Sequence, residues 1–140
     1  WLPDALDVEA MAAYARALLG EHDFLSYCKP RKGATTIRTL RALEWRRSEA
    51  GTDAGLVVLS VVADAFCHSM VRSLVGAGLA VGQGRKPVAW PRELLDARTR
   101  QSAAPVAPPH GLTLEEVTYP ADDELAAQAE RARATRRLSC

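Results

Sequence analysis

Hydrophobic and polar positions along the chain follow helical and extended periods in turn. Apolar residues recur at helical spacing over residues 8–19, which predicts a helix. Asp7 is its predicted N-cap, and Gly20 follows its predicted C-terminal end. An imperfect two-residue alternation over 36–47 predicts a strand, with either a bulge or a late start as the cause of the irregularity upstream. The continuous β-branched run over 56–62 predicts a second, central strand, paired with the first as an antiparallel hairpin.

Residues 64–84 carry the most informative helical pattern in the chain. One half of this predicted helix is apolar, and the other half carries one formal charge, Arg72, among small residues such as Ser69 and Gly76. A solvated helix face normally carries several Lys or Glu side chains. We therefore expect this half of the helix to lie close to another surface.

The remaining elements complete an α+β domain. Residues 21–34 are predicted as a loop, Pro91 opens a short helix that ends near residue 98, and 103–109 form a proline-rich loop. A strand over 112–119 and an Ala-rich helix from residue 122 follow. The order helix, strand, strand, helix, helix, strand, helix predicts helices packed on a small, mainly antiparallel sheet.

Length and composition describe one ordinary globular domain. The chain has 140 residues, of which 48% are hydrophobic and 25% charged, which excludes a mostly disordered chain. No apolar run reaches the roughly 18 residues of a membrane span, because Arg72 interrupts the longest. The chain starts without Met, and we expect a processed product or a piece of a longer protein.

Three cysteines, Cys28, Cys67 and Cys140, show no CxxC spacing. An odd number of cysteines without that spacing predicts neither a zinc site nor a disulfide framework. It favours a reducing cytoplasm as the location. The N-terminus has neither the basic start nor the apolar stretch of a signal peptide, which agrees with that location.

The net charge of +1 conceals a basic segment over residues 28–50, where seven basic residues meet two acidic ones. Its main cluster comprises Lys29, Arg31, Lys32 and Arg38, with Tyr27 beside it for stacking on a base. Of the 18 basic residues in the chain 15 are Arg, which suits bidentate phosphate contacts. This distribution is compatible with nucleic acid on one face, while a merely solvated loop is the alternative.

Four strings of residues carry a more specific signal than composition does. Residues 65–76, Ala-Phe-Cys-His-Ser-Met-Val-Arg-Ser-Leu-Val-Gly, closely resemble a signature of the tRNA pseudouridine synthase A family. The strings at 23–27 (Asp-Phe-Leu-Ser-Tyr), 36–40 (Thr-Ile-Arg-Thr-Leu) and 108–114 (Pro-Pro-His-Gly-Leu-Thr-Leu) occur in the same order as in that family. The resemblance extends to about residue 120 and leaves out the Arg-rich tail.

The resemblance implies an enzyme that isomerises uridine to pseudouridine in the anticodon stem-loop of tRNA. Such enzymes act as homodimers and use neither a cofactor nor a metal. The glycosidic bond is broken, the uracil rotates, and a carbon–carbon bond to the ribose forms. Because a stacked base is out of reach, the target nucleotide must be flipped out, which costs a few kcal/mol.

The resemblance also implies roles for individual residues. Arg72 matches the active-site Arg that pairs with the nucleophilic Asp, and Leu112 matches an aliphatic residue placed against the target uracil. His68, one turn before Arg72 on the predicted helix, is a candidate for contact with RNA or a partner domain. The alternatives are an Arg72 that pairs with a nearby acid for stability, a structural His68, and a Leu112 that is an ordinary core residue.

The nucleophile itself departs from the family pattern. In the family it is the Asp of a Gly-Arg-Thr-Asp-Ala-Gly string within an N-terminal domain. Residues 51–55 here, Gly-Thr-Asp-Ala-Gly, lack the Arg and fall in the hairpin connector, so Asp53 is interpreted as a turn residue. We therefore expect residues 1–120 to be a C-terminal domain that completes an active site with its N-terminal partner domain, and 121–140 to be a helical tail.

Two other functions compete with catalysis. The same fold without a nucleophile could be an RNA-binding or dimerisation module. Alternatively, the Arg72 face could dock a helix of a partner protein, which would make the chain a protein-interaction domain. Salt-sensitive binding of tRNA distinguishes the enzyme and the RNA-binding module from the protein-interaction domain.

Overall fold

The computed structural model describes residues 5–100 and 104–115, which form an α+β fold as predicted. Its helices and strands are α1 (Val8–Arg16), β1 (Gly20–Asp23), β2 (Ile37–Arg47), β3 (Val57–Ala63), α2 (Met70–Gly82) and α3 (Trp90–Ala97). Short 3-10 turns lie at Leu25–Tyr27, Gly51–Asp53 and Pro109–Gly111. The sheet is antiparallel with the order β1-β2-β3, and α1 packs against β2 and α2.

The N-terminal helix begins as predicted and ends early. The Asp7 side chain caps it by accepting a hydrogen bond from the Ala10 amide at 3.0 Å. The helix ends at Arg16, and Gly20 (φ 103°) begins a strand instead of closing the helix. The prediction of a loop over 21–34 was therefore wrong at its start. β1 has only four residues, Gly-Glu-His-Asp, and no apolar alternation marks it as a strand.

The β2–β3 hairpin is confirmed. Of the two alternatives for the irregular alternation the structure shows the bulge, since the register shifts between Leu40 and Ala42. The predicted central position of β3 is wrong for the described sheet, where β2 is central and β3 pairs only with β2. Alternate residues of β3, such as Leu59 and Val61, pack against the core, whereas Val62 is half exposed. The apolar run thus buries one side of the strand and leaves the other open.

The most informative helix starts later than its pattern predicts. α2 begins at Met70, after Ser69 in the left-handed conformation (φ 66°). Residues 64–69 are an irregular connector whose start is fixed by Asp64, because its Oδ1 accepts from the amides of Thr39 and Ala65 at 2.9 and 2.8 Å. The helical spacing of apolar residues over 64–69 therefore did not correspond to a helical backbone.

Two buried tyrosines tie the helices to the sheet and to each other. The Trp45 indole N–H donates to the Tyr14 hydroxyl at 2.8 Å, which in turn donates to the Leu74 carbonyl at 3.2 Å. The Tyr27 hydroxyl donates to the Pro91 carbonyl at 2.8 Å. Burial raises the pKa of both phenols. Tyr27 is fully buried and therefore cannot stack on a base as predicted.

The predictions for the C-terminal part of the chain are confirmed only in part. α3 matches the predicted helix to within a residue and ends at Arg98 in the left-handed conformation. Residues 112–115 are not in a strand, and the rest of the predicted strand, like the predicted helix from 122, lies outside the described residues. Among the helices of the described ranges, none combines the length and the apolarity needed to cross a membrane.

Candidate functional site

Arg72 is held by an irregular segment that packs on α2, which we call the strap (residues 104–107). The Arg72 Nε donates to the Ala107 carbonyl at 2.7 Å, and the Ala107 amide donates to the Arg72 carbonyl at 3.1 Å. At its other end the Ala104 amide donates to the Ser26 carbonyl at 3.2 Å. These bonds join the strap to the first turn of α2 and to the 3-10 turn after β1.

A glycine allows the strap to approach α2. A Cβ atom on Gly76 would overlap the Pro105 carbonyl oxygen, so no larger residue fits without moving the strap. Ser73, on the same half of the helix, is also buried. The prediction that the small-residue half of α2 lies against another surface is therefore confirmed.

The side chain of Arg72 is half-buried in the first turn of α2. Its bond from Nε to Ala107 fixes the plane of the guanidinium. Within residues 5–100 and 104–115, no carboxylate forms an ion pair with Arg72. The interpretation of Arg72 as a stabilising ion pair with a nearby acid therefore finds no support there. A guanidinium fixed in this way can receive a carboxylate through two parallel N–H···O bonds.

Leu112 follows the strap after a single 3-10 turn, Pro109–Gly111. Its amide donates to the Pro109 carbonyl at 3.0 Å, and its side chain is 47% exposed. It is therefore neither on a strand nor in the core, which corrects both the predicted strand position and the core alternative. An exposed aliphatic side chain in this place is available to contact a ligand.

A second feature, the basic cavity, lies where the segment after β1 meets the connector before α2. It has a volume of about 110 Å³. It is lined by Lys29, Arg31, Ala34, Thr35, Thr36, Arg38, Phe66, Cys67 and His68. Four of the residues predicted to contact RNA thus meet at one place, although they come from three separate segments. Lys32 is not among the lining residues and is exposed in the turn over 31–34.

Three of these lining residues differ from their predicted settings. His68 is not on the helix, so it does not lie one turn before Arg72 on a shared face; it is exposed in the connector. Arg38 is only 8% exposed, and its Nη1 donates to the Thr35 and Ile37 carbonyls at 3.0 and 2.7 Å. Phe66, which falls within the predicted helix over 64–84, lies in the connector instead and is 42% exposed.

The two sides of the cavity are joined by a backbone bond and a cysteine pair. The Lys29 amide donates to the His68 carbonyl at 2.9 Å. The neighbouring Cys28 and Cys67 form a disulfide with Cα atoms 5.8 Å apart, a bond that the prediction against a disulfide framework did not anticipate. The two cysteines are 39 residues apart in the chain, and only the antiparallel pairing of β1, β2 and β3 brings their segments together. The spacing of cysteines in the sequence therefore did not indicate this disulfide.

The turn that imitates the nucleophile string lies far from Arg72 along the fold. Gly51–Asp53 is the 3-10 turn between β2 and β3. The seven residues of β3, about 20 Å of extended chain, separate it from the connector that leads to α2. This placement agrees with the interpretation of Asp53 as a turn residue.

Comparison with known proteins gives consistent matches. The model of a family described as tRNA pseudouridine synthase matches residues 14–120. The chain is similar to tRNA pseudouridine synthase A of Streptomyces griseus, with 55% identity over 99% of this chain and 48% of the relative. It is also similar to the protein of the same name in Frankia casuarinae, with 59% identity over 96% of this chain and 47% of the relative. For that of Mycobacterium leprae, the identity is 51% over 97% of this chain and 45% of the relative. The chain thus spans about half the length of the curated relatives it matches.

Proposed function

The chain belongs to the tRNA pseudouridine synthase family, and on this premise we propose that it is the Arg72-bearing part of an enzyme that converts uridine to pseudouridine in tRNA. The observation that carries the proposal is the hydrogen bond from Arg72 Nε to the Ala107 carbonyl. It holds in a defined plane the residue that the family signature assigns to the active site.

Arg72 would act on a carboxylate supplied from outside the described residues. A neighbouring guanidinium lowers the pKa of a carboxylate and keeps it in the anionic form that attacks. Because Nε is engaged by Ala107, the guanidinium cannot rotate freely, and the carboxylate is oriented as well as charged. In this proposal the N-terminal part of the same protein provides the nucleophilic Asp.

Leu112 would contact the flipped uracil. Its exposed side chain lies five residues after Ala107, so the strap links the positions of both residues. An aliphatic contact suits the step in which the detached uracil rotates, since it holds the ring without fixing its polar edges. His68 would contact RNA or the partner domain from the rim of the basic cavity.

The basic cavity would bind the tRNA backbone. Lys29 and Arg31 are exposed cations at its mouth, Lys32 extends the charge along the adjoining turn, and Arg38 lies deeper. Phosphate contacts of this kind fix the register of an RNA and do not read its sequence. The anticodon stem-loop as the target and the homodimer follow from the family resemblance, and the cytoplasmic location follows from the cysteine content of the sequence; all three are part of the proposal.

Pseudouridine formation on an unmodified tRNA transcript tests this function. We expect the full-length protein to form pseudouridine, and residues 1–140 alone to bind tRNA without forming it. Supplying the N-terminal part as a separate chain should restore turnover. Robust turnover by residues 1–140 alone would contradict the missing-nucleophile argument and return Asp53 to consideration. Binding of tRNA with no turnover in any combination would favour the non-catalytic RNA-binding module.

A further inference from the structure

Cys28 and Cys67 lie at the junction of the two segments that form the basic cavity. Cys28 is fully buried, whereas Cys67 is half-buried and lines the cavity. Their Cα separation of 5.8 Å suits a disulfide without backbone movement. In a family that acts on intracellular RNA, a cysteine pair of this kind is more often redox-responsive than purely structural.

We propose that Cys28 and Cys67 form a reversible redox modification site, oxidised by an anionic low-molecular-weight disulfide that docks at the mouth of the basic cavity. The reagent class follows from the surroundings of the reachable sulfur. Lys29 and Arg31 place positive charge at the mouth of the cavity, which attracts an anionic reagent. Cys67 is the sulfur that such a reagent meets first.

The reaction balances as two thiol–disulfide exchanges. The Cys67 thiolate attacks one sulfur of the reagent, forms a mixed disulfide and expels one thiolate. The Cys28 thiolate then attacks Cys67 Sγ, forms the intramolecular disulfide and expels the second thiolate. The two cysteines are oxidised, the reagent is reduced to two thiols, and these thiols take up the two protons that the cysteines released.

The consequence for RNA binding comes from the residues next to each cysteine. Lys29 follows Cys28, His68 follows Cys67, and the Lys29 amide donates to the His68 carbonyl at 2.9 Å. In the oxidised chain a covalent link supports this bond, whereas in the reduced chain the hydrogen bond acts alone. The disulfide therefore preorganises the cavity and lowers the cost of ordering it around a phosphate. This consequence rests on the proposed function, while the modification itself does not.

The test uses the chain with Cys140→Ser, so that only Cys28 and Cys67 remain. Oxidised glutathione is the probe, dithiothreitol reverses its effect, and alkylation followed by mass measurement counts free thiols. We expect two free thiols after reduction and none after oxidation. We also expect tRNA to bind about fivefold more tightly to the oxidised chain. The matched variant Cys67→Ser should lose this redox dependence.

Hydrogen exchange of the Lys29 amide gives a readout without RNA. It should be slower in the oxidised chain than in the reduced chain. If it is slower while Lys29→Gln leaves tRNA affinity unchanged, the redox site stands and the proposed RNA contact fails. Two free thiols after glutathione treatment would overturn the redox site itself. Equal Lys29 exchange in both redox states, or equal tRNA affinity in both states while Lys29→Gln weakens binding, would overturn the proposed preorganisation of the cavity.

Discussion

Three residues of the core and the candidate site are fixed by bonds between groups distant in sequence. Arg72 is oriented by the carbonyl of Ala107, Tyr27 by that of Pro91, and the amide of Lys29 by the carbonyl of His68. Each of these bonds has at least one partner in a loop or a 3-10 turn. Loop residues such as Ala107 are therefore as important to the geometry of the site as the charged residue itself.

The buried tyrosines predict how stability depends on pH. The pKa of Tyr14 and Tyr27 is raised in the folded chain, whereas an unfolded tyrosine titrates near 10.0. The folded state therefore retains these protons to higher pH, so their contribution is intact below about pH 10 and is lost as the pH rises further. Urea unfolding at about pH 9 and about pH 11 should show a smaller free energy of unfolding at the higher pH.

Tyr27→Phe is the variant that isolates this effect. It removes one titrating phenol and should make the decline between the two pH values shallower, although it also leaves the Pro91 carbonyl without its donor. An identical decline in Tyr27→Phe and the unmodified chain would mean that other groups cause the alkaline loss of stability.

Among the elements, α2 and the strap form the unit that presents Arg72. Gly76→Ala should push the strap away from the helix, because the new Cβ would overlap the Pro105 carbonyl oxygen. Overpacking of this kind costs about 1–3 kcal/mol, partly offset by the better helix propensity of Ala. We expect a lower midpoint of thermal unfolding and a slower single-turnover rate in the full-length protein.

Gly111→Ala serves as the control for that variant, because a Cβ there meets no atom within 4 Å. It should leave the thermal midpoint nearly unchanged. If Gly76→Ala were equally mild, the strap would be too mobile to position Arg72, and its role in the site would have to be abandoned.

Elements with strong local signals were predictable, and those created by long-range contacts were not. The Asp7 cap, the alternation of β2 and the proline at the start of α3 act within a few residues, and all three elements appear nearly where predicted. β1 was missed because four polar residues become a strand only through pairing with β2. The late start of α2 depends on Ser69 and on Asp64 bonding across to Thr39, which no helical wheel contains.

The same distinction between local signals and long-range contacts applies to the candidate site. The family signature pointed to Arg72 and Leu112, but neither the strap bond of Arg72 nor the exposure of Leu112 could be read from periodicity. The basic cluster was visible in composition, whereas the cavity that gathers Lys29, Arg38 and His68 depends on the fold. The Cys28–Cys67 pair was missed for the same reason.

For the whole molecule, the cluster of Lys29, Arg31 and Lys32 predicts a salt-dependent interaction with tRNA. Neutralising Lys29, Arg31 and Lys32 together to Gln should weaken binding and reduce the slope of log affinity against log salt by about 1 for each phosphate that is no longer neutralised. The measurement is a set of tRNA binding curves at several salt concentrations. Arg46→Gln, an exposed cation on β2, is the control and should leave the slope nearly unchanged. An unchanged slope in the triple variant would mean that the cluster is merely solvated.

The central claim is that Arg72 pairs with a catalytic carboxylate supplied by the rest of the protein. Single-turnover pseudouridine formation at saturating tRNA, in the full-length protein, tests it most directly. Arg72→Ala should lower the rate about 100-fold, because the carboxylate loses its partner and its pKa rises. Arg72→Lys should lower it less, since charge remains without the planar fork. Affinity for tRNA and the thermal midpoint should change little, and Arg46→Ala should behave like the unmodified protein. A near-normal rate in Arg72→Ala, or a loss explained entirely by unfolding, would contradict the account.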